Sequence, residues 1–163
     1  MFKRVKSIFV RQNIFLAVAA GLAVTGYLLA SAFTRVIGFP LDDAWIHQTY
    51  ARNLAEFGQW AFIPGKLSAG STAPLWSVMI AAGYLFRGIP YAWTYFLGGI
   101  SLLGIALVGE AYLRRQFSID KFSFPWLGIF LVGEWHLVWA ALSGMETAFY
   151  ALSILLVLFI LSG

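Results

Sequence analysis

The sequence has no cysteine and two histidines, and only 11% of its residues are charged. Without cysteine, a disulfide framework, a thiolate metal site and a cysteine nucleophile are excluded, and two histidines are too few to argue a histidine metal site. The scarcity of charge excludes an ordinary water-soluble domain, since such domains carry roughly a quarter charged residues. It also leaves no soluble basic face with which to bind nucleic acid. What is present is apolar: of 163 residues, 61% are hydrophobic and 18% aromatic, and the mean hydropathy is +0.81. Such a chain can cross a bilayer several times at about 20 apolar residues per helix, with Trp and Tyr at the interfaces. The expected fold is an all-α, multi-pass integral membrane protein, with membrane lipids as its surroundings.

The net charge of +4 matters less than where the basic residues stand. Four of the eleven, Lys3, Arg4, Lys6 and Arg11, precede the uncharged run 14–33, which is of bilayer-spanning length. The positive-inside rule then puts the N-terminus in the cytoplasm and Phe33 outside. The rival reading is a signal peptide, with Ala30-Ser31-Ala32 as an A-x-A cleavage site, although the run is longer than the usual h-region. Residues 91–113 form a second span, ending in Arg114 and Arg115 with Lys121 beyond; 125–142 and 147–161 are further candidate spans.

Between the first two spans lies a loop of about 34–90, expected outside, that begins with the largest polar segment, 34–72. That segment holds Arg35, Asp42, Asp43, Arg52, Glu56 and Lys66. Asp42 can cap a helix over 43–57 that Gly58 stops. Ile46, Tyr50, Leu54 and Phe57 recur on one stripe and Gln48, Arg52 and Glu56 on another, so this helix is expected to lie flat on the outer membrane surface. Residues 73–86 are apolar but short for a span, in the range of interfacial segments. If 73–86 stays at the interface, Arg114, Arg115 and Lys121 fall inside with the N-terminal four, so seven of the eleven basic residues are cytoplasmic. If it spans, that basic loop lands outside, against the charge rule. Length and charge both favour the interfacial reading.

Adjacent carboxylates at Asp42 and Asp43 could act as general base on a hydroxyl or share a divalent cation such as Mg or Mn; equally, acids are favoured in the first turn of any helix. His47, four residues after Asp43, could pair with it as a structural contact or as a proton relay. Arg52 and Lys66 are outer-side cations suited to phosphate oxygens, and each alone is as readily a solvated charge. The run from Gly65 to Thr72 lacks phosphate-loop spacing and is expected to be a flexible connection. Within apolar segments, Glu110 can pair with Arg114, whereas Glu134 and His136 are expected to face a cavity or another helix. Glu146 starts the last helix, where the dipole favours an acid.

Four strings resemble one family. Leu41-Asp42-Asp43-Ala44-Trp45-Ile46-His47, continuing to Leu54, resembles the first extracytoplasmic loop of membrane glycosyltransferases with the GT-C fold. More narrowly it is similar to the bacterial branch of arabinofuranosyltransferases and related polyprenyl-phosphate-sugar enzymes, with protein O-mannosyltransferases and the lipid A aminoarabinose transferase as relatives. Gly58-Gln59-Trp60-Ala61-Phe62-Ile63-Pro64-Gly65 resembles that branch's glycine, aromatic and Asn-Pro-Gly stretch. Gly70-Ser71-Thr72-Ala73-Pro74-Leu75-Trp76 resembles its Gly-Tyr-Thr-Ser-Pro-Leu-Trp, and Ser143-Gly144-Met145-Glu146-Thr147-Ala148 its Ser-Gly-Met/Leu-Glu-Thr-Ala. The departures are Ile63 for Asn, Ser71 for an aromatic, and Trp45 and His47 within the helix, so sugar and acceptor preference do not carry over.

The resemblance implies a GT-C-like helical bundle with juxtamembrane amphipathic helices in the first extracytoplasmic loop. It implies an inverting transfer of a sugar from a polyprenyl-phosphate donor to a glycan, lipid or protein acceptor at the outer face of a prokaryotic plasma membrane. Asp42 would activate or orient the acceptor hydroxyl with Asp43 as its partner, either holding a metal if one is used. Arg52 would lie near the lipid phosphate and Glu146 would approach from the opposite side; His47 and Lys66 complete the candidate substrate-binding set. Family members usually have several hundred residues, so the chain resembles an N-terminal portion and is expected to be inactive alone. Two other classes compete: a transporter or flippase-like protein with a polar path through Glu110, Glu134 and His136, and a non-catalytic membrane scaffold.

Overall fold

In the computed structural model, residues 2–34, 38–85, 90–119 and 124–162 are described, with side chains from Arg11 onward except that of Pro90. Arg35, Phe86, Arg87 and Lys121, and the side chains of Lys3, Arg4 and Lys6, lie outside that set. Among the described residues seven α-helices follow in order: α1 Phe2–Phe33, α2 Asp42–Phe57, α3 Pro74–Leu85, α4 Pro90–Gln116, α5 Trp126–Gly133, α6 Trp135–Leu142 and α7 Thr147–Leu161. Among the described residues the nearest approach to a strand is one bridge between Ile63 and Lys66.

Among the described residues two helices are long and apolar enough to cross a membrane, over Arg11–Phe33 in α1 and Tyr91–Gln116 in α4. Proline opens both α3 and α4, where its missing N–H is not needed, and Arg114 and Arg115 end α4 in favourable alignment with the helix dipole. Residues 125–142, expected as one span, are instead two helices of eight residues each, broken at Glu134. The cause is local. Glu134 is extended (φ −75°, ψ 115°) and its carboxylate accepts the Leu137 N–H at 2.8 Å, an N-cap set inside an apolar run. A second break follows at 143–146, where Gly144 has φ +85° and α6 and α7 diverge by 113°.

Helix directions follow from side-chain contacts. The rings of Phe15 and Phe124 are 5.4 Å apart and those of Tyr27 and Trp135 5.8 Å, so α1 and α5 run side by side in one direction. Gly104 of α4 abuts Leu152 of α7, Gly109 faces Leu155, and the Arg115 guanidinium sits 5.5 Å over the Phe159 ring, so α4 and α7 run together. Glu110 of α4 pairs with Arg114 as expected, 2.7 Å from Oε1 to Nε. Its Oε2 also accepts the Gly128 N–H at 3.0 Å, supplying the first turn of α5 with the cap that its own sequence lacks. Leu102, Ile105, Ala106, Val132, Val138 and Ala141 lie in the bundle core.

A second, smaller core joins α2 and α3 through Ala51, Trp76, Ile80 and Ala81. Trp76 stacks on Phe149 near the start of α7 with ring centroids 5.8 Å apart, while the Trp93 indole near the start of α4 donates to the Met79 carbonyl at 2.9 Å. Both anchors belong to the same end of the bundle, so α3 lies across that end and does not run along the bundle's length. Residues 38–47, the start of α4 and the 143–146 turn share this loop-bearing end; Phe15, Arg115, Phe124 and Phe159 are at the opposite one.

Candidate functional site

The chain enters the site through Phe39, which is buried among the rings of Trp45, Tyr91 and Tyr95, 5.5, 5.8 and 5.1 Å away. The Trp45 indole donates to the Phe39 carbonyl at 3.1 Å and the Tyr95 hydroxyl to the Gly38 carbonyl at 2.8 Å. This aromatic clasp sets the position of Asp42 and Asp43, both exposed in the first turn of α2. Asp42 does not cap the helix. Leu41 occupies that position without a side-chain bond, and Asp42 Oδ1 accepts the Asp43 N–H at 3.0 Å. The residue is exposed at a positive helix terminus. Gly58 stops α2 as expected, in the left-handed region at φ +65°, with its N–H on the Leu54 carbonyl at 3.0 Å.

The faces of α2 differ from the expected stripes. Gln48, assigned to the polar surface face, is buried: its Nε2 donates to Thr94 Oγ1 at 2.7 Å and its Oε1 accepts the Tyr84 hydroxyl at 2.8 Å. Burial pushes the Tyr84 phenol up to about 12, so it keeps the proton it donates. Asn53 is buried as well, donating to the carbonyls of Ala61 and Phe62 at 2.8 and 3.1 Å. Phe57, assigned to the apolar stripe, is 55% exposed. The buried face of α2 thus mixes Ala44, Tyr50 and Ala51 with polar side chains that each make at least one hydrogen bond, and it seats the helix on α3 and the following loop.

The segment 65–72, expected to be flexible, is instead pinned by Tyr50. The Tyr50 hydroxyl lies 2.6 Å from Ser68 Oγ and accepts the Gly70 N–H at 2.7 Å, and its ring packs on Trp60 with centroids 5.1 Å apart. Ser71, two residues after that anchor, reaches His47. The His47 ring is 1% exposed, with Nδ1 3.2 Å from Ser71 Oγ and 3.1 Å from Ser77 Oγ, and Nε2 3.2 Å from Glu146 Oε2. The pairing with Asp43 considered from spacing is therefore not formed; Glu146, from the far end of the chain, takes that place. Ser77 was not singled out in the sequence, and only its place directly after the Pro-Leu-Trp string that ends at Trp76 could have drawn attention to it. The Trp76 indole donates to the Gly144 carbonyl at 3.0 Å. A side chain at Gly144 would collide with Phe39 and Ala44, the residues bracketing the two aspartates.

The four strings singled out in the sequence therefore meet at one end of the bundle. Arg52 and Lys66 are exposed near this assembly, and the ion pairs among the described residues are His47–Glu146, Glu110–Arg114 and Glu134–His136, so neither cation is held against the aspartates. Glu134 and His136 do not face a buried cavity: they pair with each other at 2.7 Å, with the His136 side chain 89% exposed. Among the described residues no group of three or more His, Asp or Glu comes together as a metal site. Asp42 and Asp43 alone do not make a protein cage for a cation. Comparison with protein-family models, with curated proteins and with solved structures finds no match to this chain.

Proposed function

We propose that this protein is a membrane glycosyltransferase of the GT-C kind, transferring a sugar from a polyprenyl-phosphate donor to a cell-envelope glycan, lipid or protein acceptor at the outer face of a prokaryotic plasma membrane. The observation that carries the reading is the convergence of strings 41–54, 58–65, 70–76 and 143–148 on one end of the helical bundle, with Asp42 and Asp43 exposed there. Each string is short and weak evidence alone. The first three strings are neighbours in one loop, whereas 143–148 is remote in sequence and is brought to them by the Trp76–Gly144 and His47–Glu146 contacts.

In this reading α1 and α4 cross the membrane and α2 and α3 lie over the bundle's end, so that the acids would stand at headgroup level, where a lipid-linked donor presents its phosphate. Transfer from such a donor needs a base to take the acceptor's hydroxyl proton and cationic groups to stabilise the departing phosphate. In this reading Asp42 is the base, fixed by its bond from the Asp43 N–H, and Asp43 shares the site. Arg52, on the same helix, and Lys66, in the pinned loop, reach phosphate oxygens. Glu146 approaches from the turn before α7.

The test is transfer from a radiolabelled polyprenyl-phosphate sugar by membranes carrying the complete protein rather than residues 1–163 alone. Asp42→Asn is expected to lower transfer about 100-fold or more, the scale of a lost general base, at normal protein abundance. Undiminished transfer by that variant would exclude Asp42 as the base, and absence of transfer by the wild type with any lipid-linked sugar would exclude the enzyme.

A further inference from the structure

Glu146 and His47 are joined by an unusual contact. The imidazole is buried and the carboxylate is partly open, with side-chain exposures of 1% and 27%. On the Nδ1 side, Ser71 Oγ and Ser77 Oγ stand 3.2 and 3.1 Å from the ring nitrogen and 2.9 Å from one another. Two hydroxyl protons satisfy this triangle when Nδ1 accepts: one serine donates to the ring, and the other donates to the first serine. The ring proton then resides on Nε2, which faces Glu146 Oε2 at 3.2 Å. The opposite tautomer would set a nitrogen lone pair against a carboxylate oxygen.

Both facing atoms are buried, and neither has a formed hydrogen bond; the approach is of ion-pair length but lacks the alignment of a hydrogen bond. A buried donor and a buried acceptor left unmet are costly, and a small rotation of the carboxylate satisfies both at once. The rest of the Glu146 side chain supplies its exposure. The turn that carries it is tied to α3 by Trp76 and packs against Phe39 and Ala44 beside the aspartates.

We propose that His47 is a positioning residue for Glu146: the buried imidazole holds Oε2 and turns the other carboxylate oxygen toward substrate at the open end that bears Asp42. This inference rests on the glycosyltransferase reading above. It separates the two residues' roles, since His47 is enclosed by the protein while Glu146 is within reach of a ligand.

The test is a double-mutant cycle in membranes carrying the complete protein rather than residues 1–163 alone, with a radiolabelled polyprenyl-phosphate sugar as donor. His47→Ala and Glu146→Gln are each expected to lower kcat about tenfold with little change in KM, and the double variant to be no worse than Glu146→Gln alone. His47→Gln, whose amide can donate to Oε2, is expected to recover part of the loss. A purely structural histidine would give additive losses, and additivity overturns the proposal, as does unchanged transfer by His47→Ala. If His47→Ala fails to accumulate, the cycle is run with His47→Gln and His47→Asn, under the same criterion. Asp42→Asn is assayed in parallel. Transfer that needs Asp42 but shows additive His47 and Glu146 losses removes only the positioning role, whereas absence of wild-type transfer removes the glycosyltransferase reading and this inference with it.

Discussion

The indole N–H of Trp76 donates to the carbonyl oxygen of Gly144 at 3.0 Å, binding the first turn of α3 to a turn 68 positions later. Both groups are buried. Trp76→Phe keeps an aromatic ring on Phe149 but leaves that carbonyl without its donor, a loss of about 1 to 3 kcal/mol for an unmet buried group. The expected outcome is a lower midpoint of thermal unfolding in detergent, with the helical content of the folded state unchanged by circular dichroism. Gly144→Ala is expected to cost more. It combines a left-handed backbone, worth about 1 to 2 kcal/mol, with a collision against Phe39 and Ala44.

Close helix packing predicts two opposite outcomes for the same substitution. A Cβ on Gly98 of α4 would fall 1.7 Å from the Ala141 carbonyl oxygen of α6, a backbone atom that cannot turn aside. Gly98→Ala must therefore separate α4 from α6, and it is expected to reduce abundance and unfold at lower temperature. On α1, a Cβ on Gly21 would meet nothing within 4 Å. Gly21→Ala is expected to be neutral or to stabilise by about 0.5 to 1 kcal/mol through helix propensity. Parallel thermal melts of the two variants check the contrast.

The Glu110 carboxylate serves two helices, accepting from Arg114 Nε at 2.7 Å and from the Gly128 N–H at 3.0 Å. Without that carboxylate the buried Gly128 N–H loses its acceptor, so Glu110→Ala is expected to destabilise by about 1 to 3 kcal/mol. Glu110→Gln retains an oxygen for Gly128 and is expected to lose less. Equal losses for the two variants, measured by thermal unfolding, would show that the cap on α5 contributes nothing.

How much of this was legible in the sequence depended on whether the deciding interaction was local. The runs that become α1 and α4 are continuous and apolar, bounded by charge, so their period and length suffice. Gly58 and the Glu110–Arg114 pair were legible because a helix stop and an i,i+4 ion pair need only near neighbours. The break at Glu134 was not. The residue sits in an unbroken apolar run, and its role appears only when its carboxylate folds back on the Leu137 N–H. The polar face of α2 was misassigned for a related reason: periodicity distinguishes polar from apolar positions, but it cannot tell a solvated Gln48 from one bonded to Thr94 and Tyr84. The His47–Glu146 contact joins two strings whose resemblance was noted separately, and nothing within either string announces the other.

The orientation of the site across the membrane can be tested with single cysteines, because the chain has none of its own. Leu67, in the pinned loop, is 81% exposed, and Phe117, just past α4, is 70% exposed, so neither substitution disturbs the core. With α3 lying across one end of the bundle, Leu67→Cys is expected to react with a membrane-impermeant maleimide in intact cells, and Phe117→Cys only after permeabilisation. That pattern keeps Asp42 and Glu146 on one outer side, where a lipid-linked sugar is presented. Reaction at both positions in intact cells would mean that α3 crosses after all. Glu146 would then lie across the membrane from Asp42, and a site built from both acids would be excluded.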